Sequence, residues 1–188
     1  MEDVPRQGDI ELPSIKGWRD CGLEKFPYES PPDIHPLKYK AFGVSMRPQD
    51  GETYLGMVVR YNETFESLSQ KLMSPLKKDK CYFFSTYLAR SDIYNSPTAR
   101  SPKAIESFDK PVAFLVWGGN EFCEHMELLG ISDRVENIQW QLYEFTFVPS
   151  EEYNSITIEA YYSKSVLGAY NGNIMVDNLS PIIEVSCK

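Results

Sequence analysis

One carboxylate near the end of the chain is the first residue whose setting could demand chemistry. In the segment Asn173–Val185, one parity of an alternating pattern reads Met175, Asp177, Leu179, Pro181, Ile183 and Val185. Strand side chains alternate between faces, so Asp177 takes a position where a core-facing apolar residue is expected. Burying an ionised carboxylate costs several kcal/mol unless it is paired, hydrogen-bonded or bound to a cation. We therefore expect Asp177 to have a partner, which could be turn N–H groups, an arginine or a metal ion.

Catalytic groups are the next chemistry to consider. The sequence contains no GxSxG, HExxH or glycine-rich phosphate loop, and its two histidines leave little scope for a triad. Glu159 could be posed with Asp92 or with Glu144 as a glycosidase pair. With 27 acidic residues in the chain, such pairs arise by chance. We expect a protein that is not an enzyme.

The four cysteines, Cys21, Cys81, Cys123 and Cys187, stand far apart in the sequence. A structural zinc site favours closely spaced Cys and His pairs, which this chain lacks. Four cysteines allow three complete disulfide pairings, and free buried thiols are the other possibility.

Composition limits the function classes. The 188 residues fit one domain spanning 1–188, and 42% hydrophobic residues allow a substantial core. The net charge of −8 argues against a nucleic-acid partner, because phosphate binding relies on clustered Lys and Arg. No run of about 18 apolar residues could span a membrane as a helix. Residues 1–8 lack the regions of a signal peptide, so the protein is either cytosolic or exported with its signal removed.

The elements that must position these residues are strands. Short runs of aromatic and β-branched residues alternate with Gly, Pro, Asn and Ser turns, which predicts an all-β sandwich or barrel with few helical turns. The predicted strands are Tyr39–Met46, Thr53–Tyr61, Ser67–Leu72, Cys81–Arg90, Val112–Trp117, Gln139–Val148, Ser155–Tyr162 and Ile174–Val185. Residues 122–129 read as a loop with one helical turn, and Pro31–Pro36 as a loop that could cap one end of the sandwich.

Three strands alternate clearly enough to assign their faces. The predicted core sets are Tyr82, Phe84, Thr86 and Leu88; then Tyr143, Phe145 and Phe147; and finally Ile156, Ile158 and Ala160. Their neighbours, among them Tyr87, Glu159 and Tyr161, then lie on an exposed or ligand-facing surface.

The ordered segments of the chain are similar to those of a known class of domain. They are Gly17-Trp-Arg-Asp-Cys-Gly22, Glu29-Ser-Pro-Pro-Asp-Ile-His-Pro36, Gly51-Glu-Thr-Tyr-Leu-Gly56, Lys80-Cys-Tyr-Phe-Phe-Ser-Thr-Tyr-Leu-Ala-Arg-Ser-Asp92, Trp117-Gly-Gly119, Glu159-Ala-Tyr-Tyr162 and Asp177-Asn-Leu-Ser180. Together they resemble the jelly-roll domains of the galactose-binding-like and carbohydrate-binding-module class, in the variant found in exported surface proteins of gram-negative bacteria.

This resemblance implies an extracytoplasmic location, in the periplasm, at the outer-membrane surface or secreted. It also implies a structural Ca²⁺ ion that joins the first strand to the last. Asp177 matches the aspartate ligand of such sites, Glu2 the N-terminal glutamate and Glu52 the turn, and oxygen ligands suit calcium. Export favours disulfides, and the related jelly rolls place Cys81 near Cys187, which leaves Cys21 with Cys123.

The function implied is non-catalytic glycan binding in an exported cell-surface protein. Sugars stack on aromatic faces while polar groups meet their hydroxyls, and the candidate residues are Tyr87, Arg90, Trp117, Trp140, Glu159 and Tyr161. Each of them could instead be structural, with the tryptophans covering sheet edges and Tyr161 packing under a loop. The alternative function is a protein-interaction or assembly domain of a cell-envelope or secretion complex.

Overall fold

The computed structural model describes residues 15–22, 31–36, 42–98, 104–162 and 168–187. Within these ranges the chain is built from strands, in agreement with the expected all-β class. The strands are β1 (Trp18–Asp20), β2 (Asp33–His35), β3 (Tyr54–Val59), β4 (Ser67–Leu76), β5 (Cys81–Ala89), β6 (Asn95–Pro97), β7 (Ile105–Ser107), β8 (Lys110–Pro111), β9 (Ala113–Gly119), β10 (Glu127–Ile131), β11 (Gln141–Phe147), β12 (Tyr153–Tyr161), β13 (Gly172–Asp177) and β14 (Ile183–Val185).

Two antiparallel sheets face each other as a sandwich. Sheet A has the strand order β1-β4-β12-β9-β10, and sheet B has the order β11-β5-β13-β3-β2. β14 pairs antiparallel with β5, whereas the short β8 pairs with β13 in the parallel direction. β6 and β7 form a separate two-stranded ribbon. Strands close in sequence are often distant in the sheets, which gives the crossed connections of a jelly roll.

The main core lies between the sheets. It contains the inward-facing residues of β5 and β12, namely Tyr82, Phe84, Leu88, Ile156, Ile158 and Ala160. Thr86 is also fully buried, and Phe145 and Phe147 of β11 join the core beside a half-buried Tyr143. The predicted face assignments of these three strands are confirmed on their inward side.

A second apolar cluster covers the outer face of sheet B. It consists of Val44, Tyr54, Val58, Ala89, Tyr94, Phe108 and Met175, with Phe42, Met46 and Trp140 packed against it. Sheet B is therefore buried on both faces over much of its area. This explains why β3 reads as a continuous apolar run in which every residue is buried.

Several expectations about local structure were wrong. Residues 127–129, expected to lie in a loop with one helical turn, form the start of β10. Residues 42–46 are not a strand, because Phe42 and Gly43 both have positive φ and the segment instead packs onto the second cluster; residues 39–41 lie outside the described part. Pro31–Pro36 is not a loop that caps the sandwich. Its residues Asp33–His35 form β2, which pairs with β3 at the edge of sheet B.

The run Ile174–Val185 is a strand only at its two ends. β13 ends at Asp177, Asn178 has a φ of 49°, and pairing with β5 resumes at Ile183. Ser180 attaches the segment between β13 and β14 to β5. Its N–H donates to the Ser85 carbonyl, and its hydroxyl accepts from the Ser85 N–H. Asp177 therefore ends a strand instead of lying within one.

Among the described residues, no helix has the length and apolar character to cross a membrane.

Candidate functional site

The outer face of sheet A carries three of the six residues predicted to bind a ligand. Glu159 of β12 lies between Ser67 of β4 and Leu115 of β9. On the same face, Trp117 of β9 lies two residues after Leu115, and Tyr161 of β12 lies two residues after Glu159. The alternation of these two strands brings the three side chains together.

Trp117 and Glu159 form a fixed pair. The Trp117 Nε1–H donates to Glu159 Oε2 at 2.8 Å, and Oε1 accepts no hydrogen bond from the described residues. Glu159 was expected to be exposed, but only 6% of it is accessible. Burial raises the pKa of Glu159, while the Trp117 hydrogen bond and the nearby His125 act in the opposite direction. The pair thus presents an acceptor oxygen beside an indole ring.

A loop over residues 120–126, which we call the Cys123 loop, covers part of this face and explains the burial. It places the exposed His125 ring on Trp117 with their centroids 5.0 Å apart. The loop is held by the Cys21–Cys123 disulfide and by a hydrogen bond of 2.7 Å from Ser155 Oγ to the Glu121 carbonyl. These contacts hold His125 against Trp117. The hydroxyl-bearing residues Ser69, Ser155 and Thr157 are also buried.

Tyr161 is the exposed aromatic of the site. It stacks on Phe65 with centroids 4.6 Å apart, and 39% of its surface remains accessible. Two further apolar side chains on this face, Leu128 and Ile131 of β10, are also exposed. Leu128 pairs directly with Trp117, which places it about 5 Å away across the sheet. The face is a shallow platform with an aromatic at one end and a buried acid near its centre.

The other three predicted ligand residues lie with sheet B. Tyr87 of β5 is half-buried between Leu142 and Asp177 in register. Trp140 donates to the Arg47 carbonyl at 2.8 Å and packs edge-on against Tyr54, and Arg90 Nη1 donates to the Asp109 carbonyl at 2.6 Å. The six residues are therefore divided between two sheets and do not form one site.

The carboxylate pair Glu144 and Glu159 is separated in the same way. Glu144 is exposed beside the inward-facing Phe145 of β11, whereas Glu159 belongs to the outer face of sheet A. These two carboxylates cannot act on one bond. Asp92 is exposed just beyond the end of β5.

Comparison with known proteins gives matches in structure only. No protein-family model matches the chain, and no curated protein matches its sequence. The Stig cyclase Fisc from Fischerella sp. TAU, in complex with an indole compound, aligns with a TM-score of 0.54 at 12% identity, over 92% of this chain and 87% of that one. The enzymatically active domain of tailspike protein 4 from bacteriophage CBA120 gives 0.50 at 9% identity over 92% of this chain and 20% of that one, so this chain spans about a fifth of it. The fold is a jelly-roll β-sandwich.

A carbohydrate-binding module is also among the matches to this jelly roll. The CBM22-1 xylan-binding domain from Paenibacillus barcinonensis Xyn10C gives a TM-score of 0.49 at 14% identity, over 92% of this chain and 88% of that domain. At this identity the likeness concerns the fold alone.

Asp177 finds its partners in the turn that precedes β3. Its Oδ2 accepts from the N–H groups of Gln49 at 2.7 Å and Asp50 at 3.2 Å, and its Oδ1 accepts from the Asn178 N–H at 2.7 Å. These bonds are one of the alternatives left open by the sequence, and they satisfy the carboxylate without a cation. Glu52 is exposed, and Glu2 lies outside the described residues. Within the described ranges no group of three or more His, Cys, Asp or Glu side chains gathers around one point, and calcium stays a prediction.

The jelly roll contains two disulfides. They join Cys21 to Cys123 and Cys81 to Cys187, the same pairs that the resemblance favours. The first ties β1 to the Cys123 loop, and the second ties the start of β5 to the segment after β14. Neither pairing could be derived from cysteine spacing, because the partners are 102 and 106 residues apart.

A second polar cluster is buried between β2, β3 and the turn that follows β3. Arg60 forms an ion pair with Glu66, whose other oxygen accepts from the Val58 N–H at 2.9 Å. The Tyr94 hydroxyl donates to Asp33 at 2.5 Å. Burial raises the pKa of Asp33 to about 6 and that of Glu66 to about 8, against the opposing effect of Arg60. Two carboxylates near one guanidinium thus retain a proton more readily than they would in water.

His35 lies near this cluster with both ring nitrogens buried and without hydrogen-bond partners among the described residues. Its ring stacks on Tyr54 with centroids 5.2 Å apart, and burial lowers the pKa of His35 to about 4. A Cβ at Gly56 would come within 2.8 Å of His35 Nε2, so the glycine makes room for the ring. The imidazole acts here as a neutral packing group.

Two residues of the sheet A site could not be identified from the sequence. His125 reaches Trp117 only because the Cys123 loop folds back over β9, and Phe65 reaches Tyr161 from the turn before β4. No spacing or motif in the sequence indicates either contact. Of the features in the sequence, the cysteine pair that anchors the loop comes closest to indicating where His125 lies.

Proposed function

We propose that this domain binds glycans without catalysis, through the outer face of sheet A, as part of an exported protein. The observation that carries the proposal is the Trp117–Glu159 pair beside the exposed ring of Tyr161. Carbohydrate sites combine aromatic faces, which contact the C–H groups of a sugar ring, with fixed polar groups that bind its hydroxyls.

The geometry favours recognition with little rearrangement. Phe65 supports Tyr161 from below and leaves part of its ring open to a ligand. The Trp117 hydrogen bond orients Glu159, so that Oε1 can accept a hydrogen bond from a sugar hydroxyl. Groups held in place by their neighbours lose little entropy on binding, which increases affinity.

Charge narrows the ligand class. The chain carries a net charge of −8, and one of its carboxylates, Glu159, lies near the centre of the platform. Uronic-acid and sulfated glycans would meet repulsion there. We therefore expect neutral or amine-bearing sugars to bind best.

Two disulfides support the exported location, because such bonds form and persist in oxidising compartments. The Cys21–Cys123 bond also holds the Cys123 loop, and hence His125, at the platform.

The test compares two tyrosines on opposite sheets. Binding of soluble oligosaccharides is screened on a glycan array, and the best ligand is measured by calorimetry with Tyr161→Ala and with Tyr87→Ala as the matched control. Loss of a stacking contact of about 1.4 kcal/mol should weaken binding about tenfold in Tyr161→Ala only. Glu159→Gln, which keeps an acceptor for the Trp117 N–H, should reduce the preference for neutral over anionic sugars.

Two results would overturn the proposal. One is that the protein binds no glycan on the array although its unfolding curve shows that it is folded. The other is weaker binding in Tyr87→Ala with no change in Tyr161→Ala. Specific capture of a purified cell-envelope protein by the platform would instead favour the assembly function.

A further inference from the structure

The outermost strands of the two sheets differ in how well they are protected from pairing with a further strand. β1 and β2 are three residues long, and the pairing of β10 with β9 is interrupted between Leu128 and Gly130. β11 is seven residues long, and its pairing with β5 is regular from Gln141 to Phe147. Short strands and bulges hinder the addition of another strand, whereas a long regular edge allows it. Of these four edges, β11 is therefore the most open to a partner strand.

The backbone groups on the free side of β11 belong to alternate residues. Ser85 of β5 exchanges hydrogen bonds with Ser180, on the side away from β11. Successive residues of a strand point their N–H and C=O groups to opposite sides, so Phe84 points its groups toward its partner Phe145 in β11. The residues of β11 that alternate with Phe145 then point their N–H and C=O groups to the free side. They are Leu142, Glu144 and Thr146.

The side chains of this edge are exposed as well. Leu142 is 50% accessible, as is Val148, which directly follows β11, and both Glu144 and Thr146 are exposed. β11 contains no Lys, Arg or Pro, the residues that commonly protect an edge strand. Among the described residues, no strand pairs with this side of β11. The edge therefore offers both backbone groups and apolar surface to a partner.

The edge is complementary to a second copy of itself. In an antiparallel pair of β11 strands with the two-fold axis at Phe145, Leu142 of each copy lies opposite Val148 of the other. Glu144 then lies opposite Thr146, whose hydroxyl can donate to the carboxylate. Moving the axis by one residue would instead place the two Glu144 carboxylates directly opposite each other, which is destabilising. The sequence of β11 thus favours one register of self-pairing.

We propose that two copies of this chain associate through their β11 strands, antiparallel and with Phe145 at the two-fold axis. The five-strand order of sheet B then continues from one copy into the other. This register forms about eight backbone hydrogen bonds between the copies. A two-fold pair uses the free edge of both β11 strands, so the assembly closes at two copies. The inference does not depend on glycan binding, because β11 belongs to sheet B and the platform to sheet A.

Sedimentation equilibrium of the full chain tests the association. The mean mass should rise from that of one chain to that of two as the concentration increases, and no further. The mass of a single chain at every concentration up to the solubility limit would overturn the proposal and leave the edge to a strand of another protein. A mass that continues to rise beyond two copies would overturn the closed pair.

Charge variants test the register. Leu142→Glu and Val148→Lys should each raise the dissociation constant of the dimer at least about tenfold, because each removes an apolar contact twice. The double variant places opposite charges across both contacts and should bind more tightly than either single variant. Met73→Lys, which changes an exposed apolar side chain on β4 of sheet A, is the matched control and should leave the constant unchanged. A double variant that binds no more tightly than the single variants would show that Leu142 and Val148 do not face each other.

Hydrogen exchange locates the contact between the copies. The amides of Glu144 and Thr146 should exchange at least about tenfold more slowly in the dimer than in dilute monomer, because they are hydrogen-bonded only in the dimer. The amide of Phe145, which faces β5 within the chain, should be protected in both states. Equal exchange of Glu144 and Thr146 in dimer and monomer would show that the copies associate through another surface.

Discussion

Replacing Asp33 by asparagine tests whether the buried cluster near Arg60 holds a proton close to neutral pH. Burial raises the pKa of Asp33 from 3.8 to about 6. Between about pH 4 and pH 6 the folded protein therefore keeps a proton that the unfolded chain has lost. The contribution of this proton to the free energy of unfolding is fully present below pH 3.8 and is lost as the pH rises through about 6. Two pH units correspond to about 3 kcal/mol.

The Asp33→Asn variant cannot lose this proton, and its new amide oxygen can still accept the Tyr94 hydroxyl. Its free energy of unfolding, measured in urea, should therefore gain most of this, about 2 kcal/mol, relative to the unmodified protein between pH 4 and pH 6.5, below the pKa of about 8 of the neighbouring Glu66. Taking the difference removes the opposing contribution of His35, whose lowered pKa destabilises the fold as the pH falls. Asp92→Asn, an exposed change of the same kind, is the matched control. A constant difference for Asp33→Asn would refute the reasoning.

Three further predictions concern single features of the fold. His35→Phe keeps the stacking on Tyr54 but removes two unpartnered nitrogens, so the loss of stability between pH 6.5 and pH 4 should become smaller in acid unfolding curves. Asp177→Ala removes the acceptor of three backbone N–H groups and should cost about 2 kcal/mol in urea unfolding. If Asp177 also binds calcium, a chelator should lower the melting temperature of metal-loaded protein but not that of Asp177→Ala, and an unchanged melting curve would contradict the ion. Serine at both Cys81 and Cys187 opens a long loop and should cost about 4 to 5 kcal/mol at equilibrium, whereas a cost below about 1 kcal/mol would show that the bond constrains little.

The inward faces of the sandwich could be predicted because strand alternation is a local property of the sequence. Tyr82, Phe84 and Leu88 recur every second residue, and each is buried in the core. The same reasoning failed at Asp177, since the apolar alternation of the sequence continues beyond the end of β13. The positive φ of Asn178 ends the strand there, and no period-two pattern reveals such a turn.

The outer faces could not be predicted, because their burial depends on loops from distant parts of the chain. Glu159 lies on the outward side of β12 as expected, yet the Cys123 loop helps to bury it. Ala89 is covered in the same way by the second apolar cluster. Whether a loop from a distant part of the chain folds over a sheet face cannot be deduced from hydropathy or from residue spacing.

The order of the cysteines has a consequence for how the chain is made. During synthesis Cys21 emerges first and meets Cys81 before Cys123 exists, and Cys187 comes last of the four. The native bonds join the first cysteine to the third and the second to the fourth, so their loops overlap. An early bond between Cys21 and Cys81 must be broken by thiol–disulfide exchange before either native bond can form. Production of this protein should therefore depend on a disulfide isomerase and not on an oxidant alone.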